Sequence, residues 1–165
     1  MRAACVLTLL LVGLAGCGDD EEPPAPSPPR AATTITAPAE PAKTAAKGGT
    51  RIVLRDSEFG TMLFGPDRQA IYIFERDRPG ESRCYGECAR AWPPVYTRGK
   101  PRAGRGVRAG LLGTTRRRNG RRQVTYRGQP LYYYAHEGPG EVRCHNIDLN
   151  GGLWWVVGPN GRRRP

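Results

Sequence analysis

Cys84, Cys88, Cys144, His136 and His145 are the side chains whose types could carry chemistry in this chain. Cys84 and Cys88 enclose Tyr85-Gly86-Glu87, a glycine-containing loop that can bend to join them. In the chain-entropy picture so short a ring is worth about 2 kcal/mol. That pairing leaves Cys144 as a thiol, either buried as a small hydrophobe or available to react. A rival pairing joins Cys84 to Cys144. The first pairing is favoured, and both stay open here. Cys144-His145 with His136 nearby could contribute to a copper or zinc site, since thiolate and imidazole suit both metals. A redox or metal-handling protein built on these three residues is therefore the alternative functional class. Spacing argues against it, because no Cys-x-x-Cys or His-x-x-His occurs. A thiol–disulfide oxidoreductase usually places Cys-x-x-Cys at a helix start with a lowered thiol pKa. No nucleophile elbow, phosphate-cradling loop or paired-carboxylate pattern stands out. The pairs Asp56 with Glu58 and Glu75 with Asp77 are of a kind that surface strands produce freely. The expectation is a non-enzyme without a cofactor.

A fourth cysteine says more about place than about reaction. Arg2 precedes a short apolar run over residues 6–12, and Leu14-Ala15-Gly16-Cys17 follows. A charged start, an apolar stretch and small residues at a cut site describe a secretory signal. Ending the pattern on cysteine makes it resemble the lipobox of bacterial lipoproteins. By that resemblance residues 1–16 are removed, and Cys17 is the first mature residue with a diacylglyceryl group on its sulfur. The apolar run is too short to span a bilayer as a permanent helix. The implied location is the extracytoplasmic face of the cell membrane, held through a lipid anchor. Cys5 leaves with the signal.

Residues 17–50 read as a lipidated start and a tether. Pro23-Pro24, Pro26, Pro28-Pro29, Pro38 and Pro41 stand among Ala and Thr, and Ile35 is the single large aliphatic between 18 and 50. Such a segment buries too little apolar surface to offset its ordering entropy. A proline-rich tether is semi-rigid at about 3.1 Å per residue. Asp19-Asp20-Glu21-Glu22, next to the lipid, would be repelled by anionic headgroups and favour extension.

Residues 51–165 then form one small, strongly basic domain. The chain carries +11 overall; residues 1–50 hold four basic and five acidic side chains, a net −1, which leaves +12 on the domain. A basic domain can signal a polyanion partner. Outside the membrane that excludes nucleic acid as the natural partner and leaves anionic envelope polymers. Arginine dominates beside abundant Ala, Gly and Pro, so GC-rich codon usage accounts for the excess at least as well. The cluster 116–122 is expected around a hairpin tip, and Arg162-Arg163-Arg164 as a frayed, solvated tail.

The elements that must position these residues are mostly strands. Ile52-Val53-Leu54, Met62-Leu63-Phe64, Ile71-Tyr72-Ile73-Phe74, Val124-Thr125-Tyr126, Leu131-Tyr132-Tyr133-Tyr134 and residues 153–157 are short β-branched or aromatic runs. They are bounded by Gly, Pro, Asp and Asn, the residues of turns. Asn119-Gly120 is the strongest turn signal, joining a strand near 111–117 to one near 122–126. Pro66-Asp67 and Arg127-Gly128 mark further tight turns. Residues 85–91 suit a helical turn or two, which Pro93-Pro94 ends.

The chain also repeats itself. At a shift of sixty, Gln69-Ala70-Ile71-Tyr72-Ile73-Phe74 lies on Gln129-Pro130-Leu131-Tyr132-Tyr133-Tyr134. Without a gap, residues 77–84 lie on 137–144, aligning Pro79-Gly80-Glu81 with Pro139-Gly140-Glu141, Arg83 with Arg143 and Cys84 with Cys144. Three residues more of shift set Trp92 on Trp155. Repeats over about 59–99 and 111–161 predict a mainly β, small antiparallel domain of two pseudo-symmetric halves with a short helical segment. Each half covers the other's apolar face.

Tyr72-Ile73-Phe74-Glu75-Arg76-Asp77 resembles the Y-x-[FWY]-x-x-D motif of a family of bacterial secreted repeats and predicted lipoproteins. Residues 84–94 are similar to its C-x-G-x-C-A-x-x-W-P-P segment, and 151–157 to its closing G-G-x-W-W-V-V strand. The resemblance covers nearly all of residues 52–161. It implies an envelope lipoprotein with paired repeats, and no established activity, ligand or catalytic residue. The second copy, Tyr132-Tyr133-Tyr134-Ala135-His136-Glu137, has Glu for Asp. Read physically, Tyr72 and Phe74 share one strand face, as do Tyr132 and Tyr134. Asp77 falls past the strand end, where aspartate accepts backbone N–H bonds and fixes a turn. The alternative is a ligand or cation site beneath the aromatics. Duplication favours the structural role, because fold-holding residues recur in each copy. The expected function is a membrane-anchored, non-catalytic binding or structural module of the bacterial cell envelope.

Overall fold

The structure is a computed structural model, and it describes residues 48–165. The signal, Cys17 and most of the expected tether lie outside the described residues. Gly49 and Thr50, at the end of that tether, already meet the domain: Thr50 N–H donates to Thr97 Oγ1 at 2.9 Å, and its hydroxyl to the Tyr96 carbonyl at 2.6 Å. Among the described residues no helix is long and apolar enough to cross a membrane.

The strands are short, as the turn residues between them dictate. In chain order they are β1 (Arg51–Arg55), β2 (Met62–Phe64) and β3 (Tyr72–Phe74), then helix α1 (Glu87–Ala91). There follow β4 (Tyr96–Thr97), β5 (Arg102–Ala103), a 3₁₀ turn at Ala109–Leu111, β6 (Leu112–Arg116) and β7 (Arg122–Tyr126). Last come β8 (Gln129–Pro130), β9 (Ile147–Asp148) and β10 (Leu153–Val156). They form three small sheets, ordered β2-β1-β5, β3-β10-β9 and β4-β7-β6, with β8 added on β7. Pairing is antiparallel except between β1 and β5.

The mainly β, two-repeat architecture expected from the sequence is present. Hairpin β1–β2 in the first half corresponds to β6–β7 in the second, with Asn119-Gly120 turning the latter. Helix α1 stops where Pro93-Pro94 follows. The aromatic run 131–134 is not a regular strand; only Tyr132 pairs there, bridging both Tyr72 and Pro94. Tyr72 N–H donates to the Tyr132 carbonyl at 2.9 Å and Tyr132 N–H to the Tyr72 carbonyl at 3.0 Å. This exchange marks the pseudo-twofold axis.

Burial on both faces explains why the run 71–74 is apolar throughout. Side chains alternate along a strand, so Tyr72 and Phe74 enter an aromatic core while Ile71 and Ile73 enter an aliphatic one. Tyr132 and Tyr134 join the first core, and Leu131 joins the second with Tyr133 packed against it. Trp92 and Trp154 stack at 3.8 Å and 2° in the aromatic core. Tyr72 meets Trp92 edge-on at 5.3 Å, and Tyr132 meets Trp154 edge-on at 5.2 Å. The counterpart of Trp92 is therefore Trp154, one residue before the Trp155 that repeat alignment selects. Strand β10 buries Trp154 and Val156 and leaves Leu153 and Trp155 partly open.

The C-terminal arginines are not a frayed tail. Gly161 N–H donates to the Gly158 carbonyl and Gly158 N–H to the Arg162 carbonyl, each at 2.9 Å, which turns the chain back on itself. Arg163 then bridges Val157, and Arg164 Nε donates to the Phe59 carbonyl at 2.9 Å.

Candidate functional site

The six motif side chains meet around the pseudo-twofold axis, and they do so across the repeats. The Tyr72 hydroxyl donates to Glu137 Oε1 at 2.7 Å, and the Tyr132 hydroxyl donates to Asp77 Oδ2 at 2.7 Å. Each tyrosine thus reaches the carboxylate of the other repeat. Each carboxylate also holds its own turn: Asp77 Oδ1 accepts Arg83 N–H at 2.7 Å, and Glu137 Oε1 accepts Arg143 N–H at 2.6 Å. The expected turn-fixing role of Asp77 is present, and Glu137 repeats it. Phe74 and Tyr134 cross over as well, Phe74 stacking on Trp154 at 4.3 Å and Tyr134 tilting against Trp92 at 4.6 Å. All six motif residues are buried.

Burial sets the electrostatics. Desolvation raises the Asp77 carboxyl from an ordinary 3.8 to about 6, against the hydrogen bonds from Tyr132 and Arg83 and the nearby Arg117 charge. Desolvation likewise raises Glu137 above the usual carboxylate range. Both tyrosine hydroxyls are pushed above their ordinary range, first by burial and then by the adjoining carboxylate, so they act as donors.

Arg117 is the residue that reading the sequence misses. It sits within the expected hairpin-tip cluster, yet it is 4% exposed. Its Nη1 donates to Ser82 Oγ and to Gln123 Oε1, both at 2.7 Å, and its Nη2 to the Cys84 carbonyl. Ser82 Oγ is also 2.7 Å from the Tyr132 hydroxyl. A chain Arg117–Ser82–Tyr132–Asp77 therefore links a buried cation to a buried carboxylate. Arg121, at the same hairpin, lies over the Tyr96 ring at 3.4 Å. No local signal marks Arg117, since Arg116 and Arg118 on either side of it are exposed.

The cysteine expectations resolve clearly. Cys84 and Cys88 form a disulfide with a Cα separation of 5.2 Å, and Cys144 keeps its thiol inside the aromatic core. The rival Cys84–Cys144 bridge is absent. The three residues of the alternative function do not converge. His145 packs on Phe59 at 4.3 Å with Nε2 3.2 Å from the Pro165 carbonyl, and His136 is exposed beside Tyr134. Among the described residues no group of three or more His, Cys, Asp or Glu could hold a metal ion.

A surface feature opens beside the motif and shares Phe74 and Asp77 with it. A cleft of about 730 Å³ opens between the end of β3, the Arg127-Gly128 turn and the returning C-terminal segment. Ile73, Phe74, Pro79 and Trp155 give it apolar walls; Glu75, Asp77, Arg127, Gln129, Arg162 and Arg163 give it polar ones.

The geometry is that of a fold-holding signature beside an open, arginine-rimmed cleft. No curated protein and no solved structure matches the chain. Both repeats, however, match one family at residues 53–96 and 113–158, more than half of the sequence. The chain belongs to the family described as a secreted repeat of unknown function.

Proposed function

We propose that this protein is a lipid-anchored, extracytoplasmic, non-catalytic binding or structural module of the bacterial cell envelope. One observation carries the reading. The family signature is consumed by the fold: Tyr72, Phe74, Asp77, Tyr132, Tyr134 and Glu137 are buried and satisfy one another across the repeats. A signature of that kind preserves a shape, and leaves contact with the surroundings to the outer surface. Membership of a secreted family, an intact disulfide and a signal ending on Cys17 support an oxidising, extracytoplasmic setting. The +12 on residues 51–165 supports anionic envelope polymers as partners and the membrane as the place of attachment.

The test has an anchoring arm and a binding arm. Changing Cys17 to Ser should move the protein from the membrane fraction into the medium, or leave it unprocessed. Normal processing with retention in the membrane would remove the anchor. In the binding arm, isolated cell-wall material should retain the purified protein at moderate salt without being shortened. Release of small fragments would mean catalysis, and full passage into the supernatant would mean the module does not bind envelope polymer.

A further inference from the structure

We propose that the cleft beside the C-terminal segment binds an acidic polysaccharide, its sugar rings lying against the apolar wall and its carboxylates taken by Arg127, Arg162 and Arg163. This rests on the binding reading above and supplies its site and ligand class.

The charge at the cleft is available. All three guanidinium side chains belong to exposed residues, and none forms an ion pair among the described residues. The two acids in the wall are already engaged. Glu75 Oε1 accepts Leu153 N–H at 2.9 Å, and Asp77 is held in the buried network. Arginine presents a planar fork of donors that matches a carboxylate in two-point contact. Trp155 fixes one of these forks, with the Arg163 guanidinium 4.6 Å from its ring centroid. The Trp155 indole N–H is itself buried with no acceptor among the described residues.

The backbone is shaped to bring these residues together. Arg127 and Gly128 have φ of 50° and 79°, the signs that the two central residues of a type I′ turn need. Asn, Asp or Gly normally occupies the first of those positions, and arginine there is strained. The equivalent turn of the other half also carries an arginine in this region, Arg68 at φ 63°, so the turn geometry belongs to the repeat. Gly161, at φ 75°, lets the returning segment pass close: a Cβ on it would stand 2.6 Å from Arg127 Cβ.

The repeat supplies an internal control. The positions equivalent to Arg127, Trp155 and Gln129 in the other half are Asp67, Pro93 and Gln69. There Gln69 Nε2 donates to the Tyr134 carbonyl at 2.9 Å, closing that side. Gln129 makes no side-chain hydrogen bond to a described residue and instead lines the cleft. The fold therefore holds with an acid and a proline at these places, so Arg127 and Trp155 are not demanded by it. A ring-bearing ligand is favoured over a linear polyol phosphate because Trp155, Ile73 and Pro79 offer a wall that only a C–H-rich ring face fills. A cleft of this volume accommodates one or two sugar units.

Calorimetric titration of the purified chain tests the assignment. The probes are polygalacturonate (ring and carboxylate), poly(glycerol phosphate) (charge without a ring), polyglutamate (carboxylate without a ring) and dextran (ring without charge). Polygalacturonate should bind and dextran should not. The triple variant R127S/R162S/R163S should weaken polygalacturonate binding by at least about tenfold. The hairpin control R116S/R118S/R121S removes equal charge and should stay within about twofold. Arg163→Glu, a single reversal at an exposed side chain, keeps the test decisive should the triple variant fail to fold. Equal losses in both triples would overturn the site in favour of diffuse charge. Equal affinity for polyglutamate or poly(glycerol phosphate) would overturn the ligand class. If no probe binds, the cleft is not such a site, and wall retention of the parent protein separately decides whether the binding reading survives.

Discussion

The two repeats solve the same problem with unequal means. In the first cradle Asp77 takes Tyr132 and Arg83 on separate oxygens, with Ser82 and the buried Arg117 completing the circuit. In the second, Glu137 takes both Tyr72 and Arg143 on Oε1, and Oε2 is buried without a hydrogen bond of normal geometry. A backbone hydrogen bond from Cys144 also favours the charged form of Glu137. Val142 stands where the first cradle has Ser82, and no described guanidinium plays the part of Arg117. Duplicated geometry does not imply duplicated energetics: the first cradle is a closed polar circuit, and the second is a tolerated carboxylate in an apolar setting.

Removing the carboxylates should break the comparison most sharply. Asp77→Ala strands Arg83 N–H, leaves the Tyr132 hydroxyl with Ser82 alone and removes the carboxylate near the buried Arg117 charge, at an expected cost of about 3 kcal/mol. Glu137→Ala should cost about 1 kcal/mol, since it also removes an unsatisfied oxygen. Thermal melts of both variants in chelator read the difference directly. An unchanged or raised melting temperature for Asp77→Ala would make that carboxylate a ligand site rather than a girder. Next in size are the hydroxyls. Tyr132→Phe should cost about 2 kcal/mol and Tyr72→Phe about 1 kcal/mol, because the first deprives both Asp77 and Ser82. Urea unfolding at unchanged slope would check it.

Acidity sharpens the contrast further. Folded-state carboxyl pKa values raised above the unfolded ones contribute stability below the unfolded pKa and lose it as pH rises through the folded one. For Asp77 that window runs from about 4 to about 6, worth at most about 3 kcal/mol. The melting temperature should therefore rise as pH falls from 7 towards 5. Asp77→Asn should flatten that rise more than Glu137→Gln does. A profile falling over this interval in the parent would contradict the desolvated setting of both groups. The smallest effect is expected from Val142→Ser, which gives the second cradle the hydroxyl it lacks. It should change stability by no more than about 0.5 kcal/mol, since a new hydrogen bond offsets lost apolar burial. Differential scanning calorimetry on the single variant suffices.

Much of the scaffold was legible because its causes are local. Asn119-Gly120 specifies a tight hairpin wherever it sits between strand-forming runs, and Pro93-Pro94 stops a helix in any context. The disulfide was legible too, as a favoured pairing, since four residues of separation nearly force the encounter. What was hidden depends on which copy meets which. Constant spacing from Tyr72 to Asp77 and from Tyr132 to Glu137 looks like two self-contained units, whereas the hydrogen bonds exchange partners. The one-residue offset between Trp154 and Trp155 is invisible to alignment, because either tryptophan satisfies it. Only the alternation of β10 shows which one faces inward. Arg117 and Arg164 were read as solvated because arginine usually is. Their anchoring comes from acceptors distant in sequence, namely Ser82, the Cys84 carbonyl and the Phe59 carbonyl.

The exchange of tyrosines between the halves has a consequence for how the chain can be divided. An isolated first repeat would hold Tyr72 without Glu137 and Asp77 without Tyr132, and its Trp92 would lack the ring it stacks on. Neither fragment should be a folding unit by itself. Cut at the exposed stretch Arg108 to Gly110, the two pieces should instead complement each other on mixing. A chain bearing one such repeat alone would meet the same needs by pairing with its own copy, the symmetric state from which a fused and diverged tandem would descend.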